Sequence, residues 1–229
     1  MSLFCDFYRL GHEDGRACAL EIIFDLLFLY GKDYFADSTA LEVLTSALYD
    51  AEESIQNIAA EGFSKLFLHR VLGDEGILEG LFQLYLHPIT SGPLKQCLSY
   101  FFQAFAFTSP ANQLLICGLV GKVVGSWSSN HGGARSQLQL SSVASQLSYL
   151  ADPQNLLQKP SPSTGLNKLY AQKHAQSAID LCWAALSCLG DDSVKSLIGI
   201  LVKVPLSPLP DEAPELKQLF FLIRQLHLY

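Results

Sequence analysis

Apolar positions recur with a helical period along nearly the whole chain, and short polar intervals bearing glycine or proline separate them. The pattern is sharpest between Asp50 and Phe107, where it predicts three consecutive helices. In the first, Ile55, Ile58, Ala59, Gly62, Phe63 and Leu66 share one stripe. Asp50, three residues before Glu53, is placed to open it as a capping box, and Glu61 and Lys65 stand one turn apart on the wet side. Gly73 is the expected stop and Asp74 the next cap. The second helix carries Ile77, Leu78, Leu81, Phe82 and Tyr85 inward and halts at Pro88. Ser91-Gly92-Pro93 opens the third, with proline in the first turn, where it has no hydrogen bond to lose. Its inward face is Leu94, Cys97, Leu98, Phe101, Phe102 and Phe105.

The same grammar extends in both directions. Residues 1–13 read as irregular; a helix follows from Gly15 to Tyr30 and ends at Gly31. Thr39 and Glu42 form a capping box for a short helix through Leu48. Ser109-Pro110 starts a helix reaching about Trp127, and Leu140, Val143, Ala144, Leu147 and Leu150 resume the stripe after a polar loop. PQNLLQKPSPSTG, from Pro153 to Gly165, has three prolines and reads as a linker, with Leu156 and Leu157 as tethers. A long helix from Leu166 to Leu189 turns Leu169, Tyr170, Ala178, Leu181, Cys182 and Ala185 inward. A short helix spans Val194 to Val202. The last opens at Asp211 with Leu216, Leu219, Phe220, Ile223 and Leu226 inward. No stretch sustains the alternation of a strand.

Helix pairs at a spacing near forty residues predict an all-α fold, an α-solenoid of HEAT-type antiparallel helix pairs. The organisation expected is residues 1–152 as one helical array, 153–165 as the linker and 166–229 as helices packing on the same array. The last helix ends without a polar capping repeat, as in a piece of a longer array or one whose ends meet a partner.

Composition narrows the function classes. Of 229 residues, 49% are hydrophobic and 16% charged, below the usual quarter, so many helix faces must be covered. A net charge of −7 argues against a chain that coats nucleic acid over its whole surface, although a local basic patch is compatible with it. The six cysteines form no C-x-x-C pair, and Cys97, Cys117 and Cys182 fall on apolar faces, as reduced core residues of an intracellular protein do. The first residues lack the basic-then-apolar pattern of a signal peptide. Leu114 to Val124 is the most apolar window, short of the ~20 residues a bilayer requires and interrupted by Lys122; no membrane association is expected.

No catalytic signature survives inspection. Gly125-Ser126-Trp127-Ser128 lacks the second glycine and the preceding strand of a nucleophile elbow. Gly118, Gly121 and Gly125 lie within an apolar helix, where close helix packing explains them better than a phosphate cradle. The scattered histidines, His69 and His87 among them, form no metal-ligand pair. The chain reads as a binding module, with no enzyme activity, metal or cofactor expected.

Four segments bear a more specific likeness. Ala60 to Leu68 (AEGFSKLFL) resembles the A-E-G-L-x-K-L helix of the condensin subunit 3, or Cap-G, family. Leu94 to Phe102 (LKQCLSYFF) resembles its L-R-x-C-L-x-x-F-F, with Lys95 in place of arginine, which keeps the charge but loses the planar fork. Ala106 to Gln113 (AFTSPANQ) resembles A-Y-A-S-x-x-N-Q, and Ala19 to Asp25 resembles A-L-x-A-I-F-D. Order and spacing agree over about residues 16–115. The resemblance implies a HEAT-repeat subunit that binds the kleisin subunit of condensin, meets the SMC ATPases through the complex, and helps hold double-stranded DNA during mitotic chromosome condensation. It implies a nuclear and chromosomal location, with a cytoplasmic share in part of the cell cycle.

The cations clustered near the motif, Lys65, Arg70 and Lys95, are the candidate DNA contacts; the competing reading pairs Lys65 with Glu61 and leaves the others solvated. Of the aromatic run, Phe101, Phe102 and Phe105 read as core, while Tyr100 and Phe107 are the candidate kleisin contacts. The alternative function is an adaptor of another pathway that grips an extended peptide without DNA. Ser161, followed by Pro162, has the form of a proline-directed phosphorylation site.

Overall fold

A computed structural model describes residues 2–31, 38–130, 143, 145–157, 165–187, 193–201, 204 and 213–227. All regular structure among them is helical. The chain forms two compact units, Met1–Ala104 and Phe105–Tyr229.

The first unit contains α1 (Ser2–Leu10), α2 (Glu13–Tyr30), α3 (Ser38–Ala47), α4 (Glu53–Leu68), α5 (Glu75–Leu86) and the start of α6 (Gly92–Thr108). Residues 2–10, expected to be irregular, are helical because Cys5 and Tyr8 are buried; α1 packs on α2 and α3. The α2–α4 contact depends on a missing side chain. Gly62 lies under Phe24, and a Cβ there would stand 2.5 Å from the ring. Phe24 in turn meets Phe63 edge-on at 5.1 Å. Further along, Phe67 meets Phe101 at 6.2 Å and Phe82 meets Phe102 at 4.9 Å, so the aromatic pair of α6 joins the faces of α4 and α5.

Two expected caps are corrected. Asp50 does not close onto the first turn of α4, whose N-cap is Glu52 without a side-chain bond. Its carboxylate pairs with Arg16 of α2 and accepts from the Tyr8 hydroxyl of α1 at 3.1 Å and the Glu52 N–H at 3.1 Å. The Arg16 guanidinium also lies 4.9 Å over the Tyr8 ring. A long-range cation outcompetes a local cap here, and Asp50 ties α1, α2 and the α3–α4 turn together. At the other end, α4 stops at Leu68, and Arg70, not Gly73, takes the left-handed conformation with φ 60°. The Asp74 cap is as expected: Oδ1 accepts from the Ile77 N–H at 2.9 Å.

The second unit contains the end of α6, α7 (Pro110–Asn130), α8 (residues 145–151), a 3₁₀ turn (Pro153–Asn155), α9 (Leu166–Ser187), α10 (Ser193–Leu201) and α11 (Pro214–Leu226). Helix α9 is its axis and packs on α7, α10 and α11. Ile116, Cys117, Leu119, Val120 and Val123 are all buried, so α7 is enclosed on several sides, as its near-continuous apolar sequence requires. Gly121 serves packing: a Cβ there would stand 2.1 Å from Asp180 of α9.

One buried amide organises this unit. The Gln113 side chain donates to the carbonyls of Leu150 at 3.1 Å and Asp152 at 2.7 Å, and its Oε1 accepts from the Tyr170 hydroxyl at 2.9 Å. Beside it, Asn112 donates to the Phe105 carbonyl at 3.0 Å. Leu156 is buried and tethers the segment as expected; the Leu157 side chain is exposed, and only its backbone is held, by an N–H bond to the Phe107 carbonyl at 2.9 Å. Two inward faces are corrected. Leu169 is exposed, and in α11 the buried residues are Leu219 and Leu222, with Phe220 and Ile223 exposed. Gly118 is half-buried within α7, and residues 128–130, expected in the polar loop, continue that helix. Gly125, residues 131–135, Leu140, Ala144, Ser161, Cys188, Leu189, Asp211 and the Thr39 cap lie outside the described side chains.

Candidate functional site

The cations singled out in the sequence occupy three different settings. Lys65 lines a groove of about 540 Å³ between α2 and α4, in company with Glu21, Asp25 and Glu61. No ion pair joins Lys65 to Glu61. Arg70 is exposed in the turn after α4, where its left-handed backbone belongs to a Schellman-type cap: its N–H donates to the Phe67 carbonyl at 3.0 Å and the Val71 N–H to the Leu66 carbonyl at 2.9 Å. Lys95 folds back: its ammonium donates to the Pro88 carbonyl at 3.2 Å, closing the α5–α6 turn.

The aromatic candidates also differ from one another. Tyr100 is 67% exposed although it adjoins the buried Phe101 and Phe102, so a rigid helix presents it to solvent. Phe107 is half-buried, with its ring edge-on to Tyr149 at 5.5 Å. Phe101, Phe102 and Phe105 are core, as expected. In the second unit, sequence reasoning missed Trp183, which is 51% exposed near the C-terminal end of α9. Its neighbours Leu181, Cys182, Ala184 and Ala185 are apolar and buried, so the local pattern gave no sign that Trp183 faces water.

Two buried thiols and one buried phenol are held in their neutral forms. Burial pushes the Cys117 thiol up to about 12 and the Cys182 thiol up to about 11. Burial raises the Tyr170 phenol as well, with a smaller push from Cys117. These are unreactive core groups. Among the described residues no His, Cys, Asp and Glu cluster is arranged to hold a metal, and no helix is long and apolar enough to cross a membrane. What the geometry offers is surface: exposed aromatics and mixed charge on helices fixed from behind.

Three likenesses bear on this arrangement. The family model described as nuclear condensing complex subunits, C-terminal domain, matches residues 1–206. Condensin complex subunit 3 of Schizosaccharomyces pombe is 30% identical over 116 residues, which are 48% of this chain and 13% of that protein. The crystal structure of the S. pombe condensin Cnd3–Cnd2 subcomplex contains a chain of the same fold, with a TM-score of 0.76 and 22% identity over 100% of this chain and 31% of that one. The chain thus spans under a third of the length of either relative. The expected all-α class of HEAT-type helix pairs stands.

Proposed function

The chain belongs to the family of nuclear condensing complex subunits, C-terminal domain, and from that membership we propose that it is a non-catalytic part of a condensin HEAT-repeat subunit, which grips the kleisin and helps to hold duplex DNA during mitotic chromosome condensation. The solved Cnd3–Cnd2 subcomplex pairs a chain of this fold with a second subunit, which supports the reading. The SMC ATPases are reached through the complex. The protein acts in the nucleus and on the chromosome, with a cytoplasmic share in part of the cell cycle.

The observation that carries the kleisin contact is the exposure of Tyr100 on a helix anchored by Phe101 and Phe102. An aromatic held rigidly in water loses little entropy on docking and withdraws much apolar area from water, the profile of an interface anchor. Phe107, half-buried beside Tyr149 in the second unit, is the other aromatic we assign to kleisin. In pull-downs with a kleisin fragment, Tyr100→Ala weakens capture by about tenfold or more, in keeping with about 2 kcal/mol for an anchoring aromatic. Undiminished capture sinks the assignment.

Duplex DNA is held through phosphate contacts from Lys65, Arg70 and Lys95. Reversing the three to glutamate in the kleisin-bound complex weakens binding and flattens its dependence on salt, by about 0.9 in the log–log slope for each phosphate that is no longer neutralised. A slope equal to that of the wild type removes the cations from the interface. The acids around Lys65 and the net charge of −7 favour a second reading, an adaptor that binds an extended peptide and no DNA. Capture of kleisin together with absence of salt-dependent DNA binding selects a peptide-only role, and capture of neither selects an adaptor of another pathway.

A further inference from the structure

We infer that the groove between α2 and α4 is a separate docking site for a short basic segment of a partner protein, one that inserts an apolar side chain between flanking lysines or arginines. The groove encloses about 540 Å³, within the ~300–1,000 Å³ of ligand-sized clefts, and lies wholly inside the first unit. Its inner wall is apolar, from Phe24 and Ile58. Phe28 is 43% exposed at the groove and meets His69 in a T-shaped contact with centroids 4.7 Å apart, so part of its ring stays open to an incoming side chain.

The wall fixes the polarity of the occupant. Glu21 and Asp25 stand one turn apart on α2, and Glu61 comes from α4; all three are exposed. Against them the groove sets one lysine, Lys65, so three negative charges and one positive leave a net −2. Carboxylates on both walls of a cleft focus a negative potential that attracts cations, so a basic segment fits inside the groove; the Lys65–phosphate contact proposed above and this segment compete, because both use the same rim. The apolar wall discriminates further, because a purely basic chain leaves Ile58 and Phe28 against water. The partner therefore carries both features within a few residues. The inference does not rest on kleisin binding through Tyr100, since none of these residues lies on α6.

The test is fluorescence anisotropy on the whole chain with three short labelled probes, alternating arginine–leucine, arginine–serine and glutamate–leucine. The arginine–leucine probe binds, the arginine–serine probe binds about tenfold more weakly, and the glutamate–leucine probe does not bind. The variant Glu21→Lys, Asp25→Lys, Glu61→Lys loses at least about tenfold in affinity for the first probe. The variant Asp14→Lys, Glu42→Lys, Glu52→Lys makes the same change in net charge at other exposed positions and loses less than about threefold. Equal losses in the two variants, or equal affinity for the two arginine probes, mean diffuse attraction to an acidic surface and overturn the inference. Circular dichroism verifies folding. If the groove reversal unfolds, the milder Glu21→Gln, Asp25→Asn, Glu61→Gln takes its place and must still weaken the first probe more than the same change at the control acids.

Discussion

Gly62 offers a sharp test of the packing described above, because two effects of known sign oppose each other there. Glycine inside a helix is worth about 1 kcal/mol less than alanine, so Gly62→Ala in open space would stabilise α4. The space is not open. The new Cβ would sit 2.5 Å from the Phe24 ring, far inside van der Waals contact. Phe24 is almost fully buried and makes an edge contact with Phe63, so moving its ring sacrifices an interaction worth about 0.5–1.5 kcal/mol. Overpacking a core costs about 1–3 kcal/mol; with the weakened ring contact added and the propensity gain subtracted, the net loss is about 0.5–3.5 kcal/mol. Gly199 in α10 is the matched control: nothing lies within 4 Å of its would-be Cβ, so Gly199→Ala gains up to about 1 kcal/mol. Urea unfolding followed by helical circular dichroism reads both. The two midpoints move in opposite directions, and the thermal midpoint of Gly62→Ala falls by about 2–4 °C per kcal/mol. Adding Phe24→Leu to Gly62→Ala costs less than the sum of the two single changes, since the smaller side chain vacates the clash. A Gly62→Ala protein as stable as Gly199→Ala would show that α2 and α4 do not meet at that distance.

Other outcomes follow from the buried polar network and the thiols. Gln113→Leu destabilises by about 2–4 kcal/mol in the same unfolding assay, because it strips a donor from two carbonyls at once and leaves the Tyr170 hydroxyl with only the Pro110 carbonyl, at 3.1 Å; a loss below about 1 kcal/mol would deny Gln113 its central place. For Asp50, burial pushes the carboxyl up, but the Glu52 N–H, the Tyr8 hydroxyl and Arg16 together outweigh it, and the folded pKa lies below the ordinary value. Its stabilisation is therefore complete above the unfolded pKa of about 3.9 and fades as pH falls through the folded value. The stability gap between wild type and Asp50→Asn, measured against pH, is constant near neutrality and closes only in acid; a gap that widens in acid would reverse the sign of the argument. Asp74→Ala costs about 1 kcal/mol, the loss of one cap, and no measurable change would mean the Ile77 N–H finds another partner. Among the described cysteines, exposed Cys18 reacts first with a thiol reagent, whereas Cys117 and Cys182, buried and raised to about 12 and about 11, react only on unfolding. Modification of Cys117 or Cys182 in the native protein at the rate of Cys18 would contradict their burial.

Local signals in the chain accounted for much of the architecture. Helical periodicity located the described helices from α2 onward, because an amphipathic helix must turn one stripe to the core whatever it packs against. Pro88 and the Asp74 cap marked boundaries correctly, since their effects act through the backbone within one turn. The motif residues were also informative: Gly62, Phe101, Phe102, Asn112 and Gln113 each occupy a packing or hydrogen-bonding position that few other side chains fill. What failed, failed for want of distant partners. Asp50 looked like a cap because Glu53 is close in sequence, while Arg16 is thirty-four positions away. Residues 2–10 looked irregular because only the packing of α1 on α2 and α3 rewards their helix.

The division between sequence and structure follows the range of the forces. Periodicity and turn chemistry act over a few residues, so the amino-acid order alone determined an all-helical chain, the inward stripes of most helices and, through its motifs, the family resemblance. Which polar groups would face one another depends on helices brought together from far along the chain. Only the tertiary structure therefore set Lys65 among three carboxylates, turned Lys95 onto Pro88, and left Tyr100 and Phe28 facing water. In α11 a full turn of apolar residues led the periodic reading to Phe220 and Ile223, whereas packing against α9 buried Leu219 and Leu222.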